Sequence, residues 1–322
     1  MTHAAPVPVI CLAGPTGSGK TAAALALARA CNGEVINADS RQAYRDFPII
    51  TAQPFPEERA VCPHHLYGVL PTAAKMAAGS WAEEAASLAR DIWARGHVPL
   101  AVGGTGLYFK ALLHGIAAIP PVAAALSEDL AARCAACGSP ALHAELSAVD
   151  PAYAARIHPN DRQRVLRALE VWLGTGKTFS WWHAHAAPAP LARGPLLGLG
   201  ITLDELTPRL GRRIDAMLEM GALEEARQAR LLCADPAAPG WSGIGCAELL
   251  AHLEGRLSLP QARALWMSNT RAYAKRQLTW FRAQPELEWF SPQDVAALTD
   301  RVLRAVDGLR SAAISCAADQ AQ

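Results

Sequence analysis

The stretch LAGPTGSGKTAAALALA, Leu12–Ala28, decides the fold. It contains G-x-x-x-x-G-K-[ST], the loop that wraps phosphates in ATP- and GTP-using proteins. The residues before it, VPVICLAG (Val7–Gly14), form a short apolar run rich in branched side chains, which predicts a buried parallel strand. The Ala/Leu run after it predicts a helix to about Cys31. A glycine-rich loop between a strand and a helix is the context in which this motif works. Backbone N–H groups from Gly14, Thr16, Gly17, Ser18, Gly19 and Lys20, in the loop that Pro15 also belongs to, surround one anion, since glycine tolerates the torsions required. The helix N-terminus points at the same place. Lys20 adds a point charge, and the Thr21 hydroxyl is placed to hold Mg²⁺. The motif establishes a phosphate or diphosphate ligand without identifying ATP.

Working outward, GEVINADS, GHVPLAVGGTG and LLGLGITL (Leu196–Leu203) read as further strands, with a helix over Trp81–Arg95 among the intervening segments. Alternating strand and helix predicts an α/β parallel sheet, here a P-loop NTPase-like core. Strand patterns vanish between about 120 and 194, where the chain is Ala-rich and helical. The expected organisation is a catalytic core of residues 1–119 and 195–311, a helical insertion domain at 120–194, and a frayed tail at 312–322. After Asp204 the pattern is helical, with Leu210, Ile214, Met217 and Leu218 on one face, and LEWF is a candidate last strand.

Composition narrows the class. The chain has 322 residues, 51% of them hydrophobic, enough for a sizeable core, and a net charge of +1 excludes a polybasic protein while leaving room for a local basic patch. The cysteines show no framework spacing, which suits buried thiols in a reducing cytoplasm. Cys134 and Cys137 form one C-x-x-C without a second pair, read here as part of an Ala-rich helix. No leader pattern or membrane-spanning run is evident, so the expectation is a cytoplasmic protein with no membrane partner.

Two strand edges supply candidates for chemistry. INADSRQAY places Asp39 at the C-terminal end of its strand, where ligands bind in open α/β sheets. Asp39 is therefore a candidate metal partner or general base; capping the following helix is the alternative. In VGGTGLYFKALL, Gly103 and Gly104 permit close backbone approach, and Thr105 offers a hydroxyl that serves either the site or a tight turn.

The blocks GPTGSGKT, DSRQAY, PHHL, VGGTGLYFKALL, RIHPNDRQRVLRALEV and AKRQLTWFR occur in the order found in bacterial tRNA dimethylallyltransferases. The resemblance runs from about Val9 to Phe290. It implies transfer of a dimethylallyl group from dimethylallyl diphosphate to N6 of the adenosine 3′ to the anticodon, in tRNAs reading codons that begin with U, and it favours a monomer. The phosphate loop would hold the leaving diphosphate. By the same resemblance Asp39 is the general base, Lys20 and Arg213 contact the diphosphate, Thr105 lies between diphosphate and base, and Mg²⁺ assists. Arg209 and Arg212 are neighbours able to substitute for Arg213. Asp39, Ser40, Arg41 and Gln42, with Thr105, would contact the target nucleotide. Gln163, Arg164, Val165, Leu166 and Arg167 would contact the anticodon stem-loop, with Asp161 ordering the turn before them.

Residues 261–284 contain no acid but carry Arg263, Arg271, Lys275, Arg276 and Arg282, so Lys275 and Arg276 join the expected RNA contacts. Trp266, Tyr273 and Trp280 recur every seven residues there, a pattern read as core-facing in preference to base-stacking. His64 and His65 are candidates to close the cleft. The chain departs from the family pattern at Asp46–Pro54, where Gln53 replaces the usual lysine, at Cys246 and Ala247, and at Ser127. The competing readings are a P-loop small-molecule or nucleoside kinase, which leaves the arginine-rich block unexplained, and an isopentenyltransferase acting on free AMP.

Overall fold

The computed structural model describes residues 5–186 and 188–320. Eight strands occur among them: β1 (Val7–Pro8), β2 (Ile10–Ala13), β3 (Gly33–Asn37), β4 (His64–His65), β5 (Val98–Gly103), β6 (Ala192–Arg193), β7 (Leu196–Leu199) and β8 (Leu287–Phe290). Six form one sheet in the order β4-β3-β5-β2-β7-β8, and every pairing in it is parallel. β1 and β6 make a separate parallel pair. The expected strands are all present. Two short strands escaped the sequence, β4 and β6, because two residues, His-His or Ala-Arg, make no apolar run.

The central strands read as unbroken apolar runs because both faces are covered. Cys11 and Ala13 of β2 face one core, with Trp81, Ala85, Tyr108 and Phe109 from helices Ala78–Ala94 and Gly106–His114. Ile10 and Leu12 face a second core, with Leu27 of helix Lys20–Cys31 and Leu298, Val302 and Val306 of helix Val295–Gln320. Those last three recur at i, i+4 and i+8, one stripe of a helix. Each such side chain contributes about 1.5–3 kcal/mol when fully buried. The stripe docks this helix on the sheet, and the Ala-rich sequence beyond it favours helix continuation. The helix therefore runs to Gln320, where fraying was expected from residue 312; residues 321 and 322 lie outside the described part.

A third core joins helices Leu203–Glu219, Ala222–Leu232, Cys246–Leu253 and Leu259–Arg282 to the segment after Asp39, through Tyr44, Phe47, Ile50, Ile214, Met217, Trp241 and Trp266. Phe47 and Trp241 meet edge to face, with ring centroids 4.9 Å apart. The departing loop Asp46–Pro54 is held by side chains rather than by glycines. Glu225 accepts from the N–H groups of Ile49 (2.7 Å) and Ile50 (2.9 Å), and buried Gln53 donates to the Tyr44 carbonyl at 2.7 Å. Cys246 is buried in the same core, with Ala247 exposed beside it.

Backbone contacts divide the chain into two units, 1–114 with 190–322, and 115–189. The insertion thus begins and ends about five residues earlier than the expected 120–194. The end moves because β6, paired with β1, assigns Ala192 and Arg193 to the sheet unit. The insertion packs helices Ala124–Cys137, Ser139–Val149 and Arg162–Thr175 around Leu130, Leu142, Leu146, Val165 and Leu169. Cys134 belongs to this core, and Cys137 lies at the exposed end of the same helix.

Candidate active site

The phosphate loop leaves β2 at Gly14 and enters helix Lys20–Cys31 at Gly19, whose φ of 94° lies in the left-handed region that favours glycine. The Lys20 ammonium folds over the loop and donates to the carbonyls of Gly14 (2.8 Å) and Pro15 (2.7 Å). Ser18 is wholly buried beneath, its hydroxyl without a hydrogen-bond partner.

A cavity of about 390 Å³ opens at this loop. Thr16, Gly17, Gly19, Lys20 and Thr21 form one wall, and Asp39, Gln42, Arg209 and Arg213 line it as well. Gly14, Pro15 and Ser18 support the loop without lining the cavity. Burial lowers the Lys20 pKa to about 8, with Arg213 pushing the same way and Asp39 opposing. Burial also lowers the Arg213 pKa, offset by Asp39 and Glu58. The lining carries three cations, Lys20, Arg209 and Arg213, against two carboxylates, Asp39 and Glu58, and such a cluster in a partly dry cavity forms a receptor for a multiply charged anion. Arg209 and Arg213 are four residues apart and share a helix face. Arg212 is turned to solvent and does not line the cavity.

Asp39 follows β3 and is held by a turn of its own rather than by a helix it caps. Its N–H donates to Asn37 Oδ1 at 2.8 Å, and its Oδ1 accepts from the Arg41 N–H at 2.9 Å. The second carboxylate oxygen is uncommitted by that turn. Thr105 Oγ1 accepts from the Ser40 N–H at 3.0 Å, and its N–H donates to the Ala38 carbonyl at 3.1 Å. The Thr105 hydroxyl therefore sits on the Asp39 turn and is no helix cap. It fixes the turn without lining the cavity.

Several expected RNA contacts have other duties. The Arg41 guanidinium donates to the Pro239 carbonyl (3.3 Å) and to Ser242 Oγ (3.0 Å). The Gln42 amide donates to the Thr51 carbonyl at 3.2 Å and to that of Ala52. Val165 is fully buried and Leu166 is half-buried against the same insertion core, so their side chains hold the helix. Their neighbours Gln163, Arg164 and Arg167 are exposed. Arg164 and Arg167 pair with Asp161 and Glu170, each at 3.2 Å. Exposed pairs of this kind contribute about 0–1 kcal/mol and yield readily to a phosphate. Asp161 caps the helix by accepting from the Arg164 N–H. Lys275 and Arg276 are exposed on the long helix. Trp266 of the same helix is core, Tyr273 is half-buried and Trp280 packs against the first core, in keeping with the core-facing reading.

His64 lines the cavity and His65 does not. Adjacent strand residues point to opposite faces, so His65 instead bonds buried Glu34 at 2.8 Å, alongside Arg95. His64 Nδ1 faces the Cys62 carbonyl at 2.8 Å, which assigns the proton to that nitrogen, and burial lowers the ring's pKa. Glu58, Thr51 and Tyr67 also line the cavity; the sequence did not single them out, although Thr51 lies within the departing stretch Asp46–Pro54. Gln277 was missed too, although it lies inside a quoted block. Among the described residues no cluster of three or more His, Cys, Asp or Glu is arranged to hold a metal, and no helix is long and apolar enough to cross a membrane.

An IPP transferase family model matches residues 42–284, and an isopentenyl transferase model matches residues 7–62. The chain is 64% identical over 292 residues to a tRNA dimethylallyltransferase from Desulfovibrio desulfuricans, covering 91% of this chain and 90% of that one. It is 59% identical over 313 residues to one from Nitratidesulfovibrio vulgaris, covering 92% and 93%. Among solved structures it resembles the full-length tRNA isopentenylpyrophosphate transferase of Bacillus halodurans, with a TM-score of 0.69 and 32% identity over 94% of this chain and 98% of that one. It also resembles a eukaryotic dimethylallyltransferase captured acting on tRNA, with a TM-score of 0.74 and 29% identity over 90% of this chain and 75% of the other. With a family model spanning most of the chain and relatives this similar along nearly its whole length, the chain belongs to the IPP transferase family, the family of the tRNA dimethylallyltransferases.

Proposed function

We propose that this chain transfers the dimethylallyl group of dimethylallyl diphosphate to N6 of the adenosine 3′ to the anticodon, in tRNAs that read codons beginning with U, and releases diphosphate. The observation that carries the reading is the shared cavity: Lys20 and Arg213 line it together with Asp39, at the end of the phosphate loop. The loop amides, Lys20 and Arg213 bind the diphosphate and stabilise the charge that gathers on it as the allylic C–O bond breaks. N6 forms the new C–N bond, and the uncommitted oxygen of Asp39 accepts the N6 proton. Ser40 and Thr105 keep the Asp39 carboxylate aimed at the cavity through the turn they lock.

The oxygen donors suit Mg²⁺. The Thr21 hydroxyl and the Asp39 carboxylate line the cavity, and a hard cation bound largely through phosphate oxygens and water needs no cage of protein ligands. Thr21 would hold it, with Asp39 beside it. When bound, Mg²⁺ supplies further neutralisation of the diphosphate charge.

The acceptor must leave its stack to reach such a cavity. Gln163, Arg164 and Arg167 on the insertion, with Lys275 and Arg276 on the long helix, supply the exposed polar and cationic contacts to the anticodon stem-loop. A cytoplasmic monomer accompanies this reading. The test is incubation of the purified chain with isotopically labelled dimethylallyl diphosphate and unmodified tRNA. Label in the anticodon-adjacent adenosine is expected. Transfer of a γ-phosphate from ATP without prenylation would instead indicate a kinase.

A further inference from the structure

Gln277 is a buried side chain, 5% exposed, whose amide is committed at both ends to distant parts of the site. Its Oε1 accepts from the Thr16 N–H at 2.9 Å, and its Nε2 donates to the Gly104 carbonyl at 2.9 Å. The orientation of the amide follows from its partners, since an N–H can only donate and a carbonyl can only accept. Thr16 lines the cavity on the diphosphate side. Gly104 belongs to the edge beside Asp39: a Cβ placed there would come 3.4 Å from Asp39 Oδ2 and 2.2 Å from Gln277 Nε2. Glycine is therefore required at 104 for this amide to reach.

The neighbours of Gln277 on its helix face extend the contact. Tyr273, one turn earlier, lies beside Thr105. Trp280, one turn later, packs on Gly106, where a Cβ would come 2.2 Å from the indole ring. Tyr273, Gln277 and Trp280 thus lie on one stripe of the long helix, docked on Gly104, Thr105 and Gly106. Of the three, Gln277 alone also reaches the phosphate loop.

We propose that Gln277 is a positioning residue of the prenyl transfer, tying the phosphate loop to the Gly104–Thr105 edge so that the bound diphosphate and the Asp39 carboxylate keep a fixed separation. The inference rests on the functional reading above. Nucleophilic displacement depends steeply on that separation, and a misplacement of about 1 Å can cost about a hundredfold in rate. The pairing needs one donor and one acceptor at the same side-chain end. An ionised glutamate has no proton for the Gly104 carbonyl, and methionine has neither a donor for Gly104 nor a strong acceptor for Thr16.

The experiment compares Gln277→Met and Gln277→Glu with the wild type, measuring kcat, the separate KM values for donor and tRNA, the melting midpoint and the equilibrium binding of inorganic diphosphate. Gln277→Met should lower kcat/KM for the donor by about 10- to 100-fold and weaken diphosphate binding, with the KM for tRNA unchanged. Gln277→Glu should be impaired at neutral pH and recover relative to wild type on acidification, because a protonated carboxyl again offers one donor and one acceptor. A purely structural role would lower the melting midpoint and the active fraction without this split or pH rescue, and would overturn the proposal. So would wild-type donor kinetics and diphosphate binding in both variants. Failure of the wild type to prenylate tRNA would sink the functional reading instead, and the diphosphate-binding comparison would still decide the tether.

Discussion

The Lys20 ammonium donates to the Gly14 carbonyl at 2.8 Å, closing the phosphate loop on itself with the lysine's own charge. Burial has lowered its pKa to about 8, so protonation of this one group governs whether the cavity carries its full positive charge near neutral pH. The sign is that of a depressed lysine: the cation is present below about 8 and is lost as pH rises through it.

Donor capture should follow that titration. The kcat/KM for dimethylallyl diphosphate should fall by about tenfold per pH unit once pH exceeds the Lys20 pKa. A pH profile of kcat/KM checks this. Lys20→Ala should be weak in donor binding and in turnover, and should lose this limb of the profile.

Asp39 lines the cavity, with one oxygen accepting from the Arg41 N–H and the other uncommitted by the turn, and the substitutions separate them. Asp39→Asn keeps an acceptor for the Arg41 N–H and removes the base. It should lower kcat by about 10²–10⁴-fold while leaving diphosphate binding nearly intact. Single-turnover kinetics with equilibrium binding in parallel measure both. An Asp39→Asn enzyme of normal kcat would return Asp39 to a role in the turn alone.

The exposed cations should report on RNA. Arg167→Ala and Lys275→Ala should raise the KM for tRNA and change the log–log salt slope by about 0.7–0.9 for each phosphate contact removed. The KM for the donor should not move, since neither residue lines the cavity. Wild-type tRNA affinity in both variants at every salt concentration would place the RNA surface elsewhere.

Val165 supplies the contrasting case. Fully buried in the insertion core, it should act through stability alone. Val165→Ala should cost about 2 kcal/mol, the burial of roughly two methyl groups with a partial cavity. Hydrogen exchange should show the loss across residues 115–189, with the salt slope for tRNA binding unchanged. A changed slope would make Val165 an RNA contact after all.

What the sequence determined by itself is what short stretches of chain decide. The phosphate loop is legible because its parts, Gly14 to Thr21, are consecutive and act through their own backbone. The strands are legible because burial on both faces leaves them uniformly apolar, and Asp39 is legible because strand ends are where parallel sheets bind ligands. Tertiary structure decided the questions of direction and distance. A two-residue strand sends His64 into the cavity and His65 to Glu34, and no apolar period announces it. The helical period turns Arg209 and Arg213 inward and Arg212 out, but only the packing of Leu210 and Ile214 says which face is inward. The same kind of packing draws Val165 from the arginine-rich block into the core. Gln277 meets Thr16 across 261 residues of sequence. Such a bond exists only once the long helix has docked on the glycines of the β5 edge, so no local pattern encodes it.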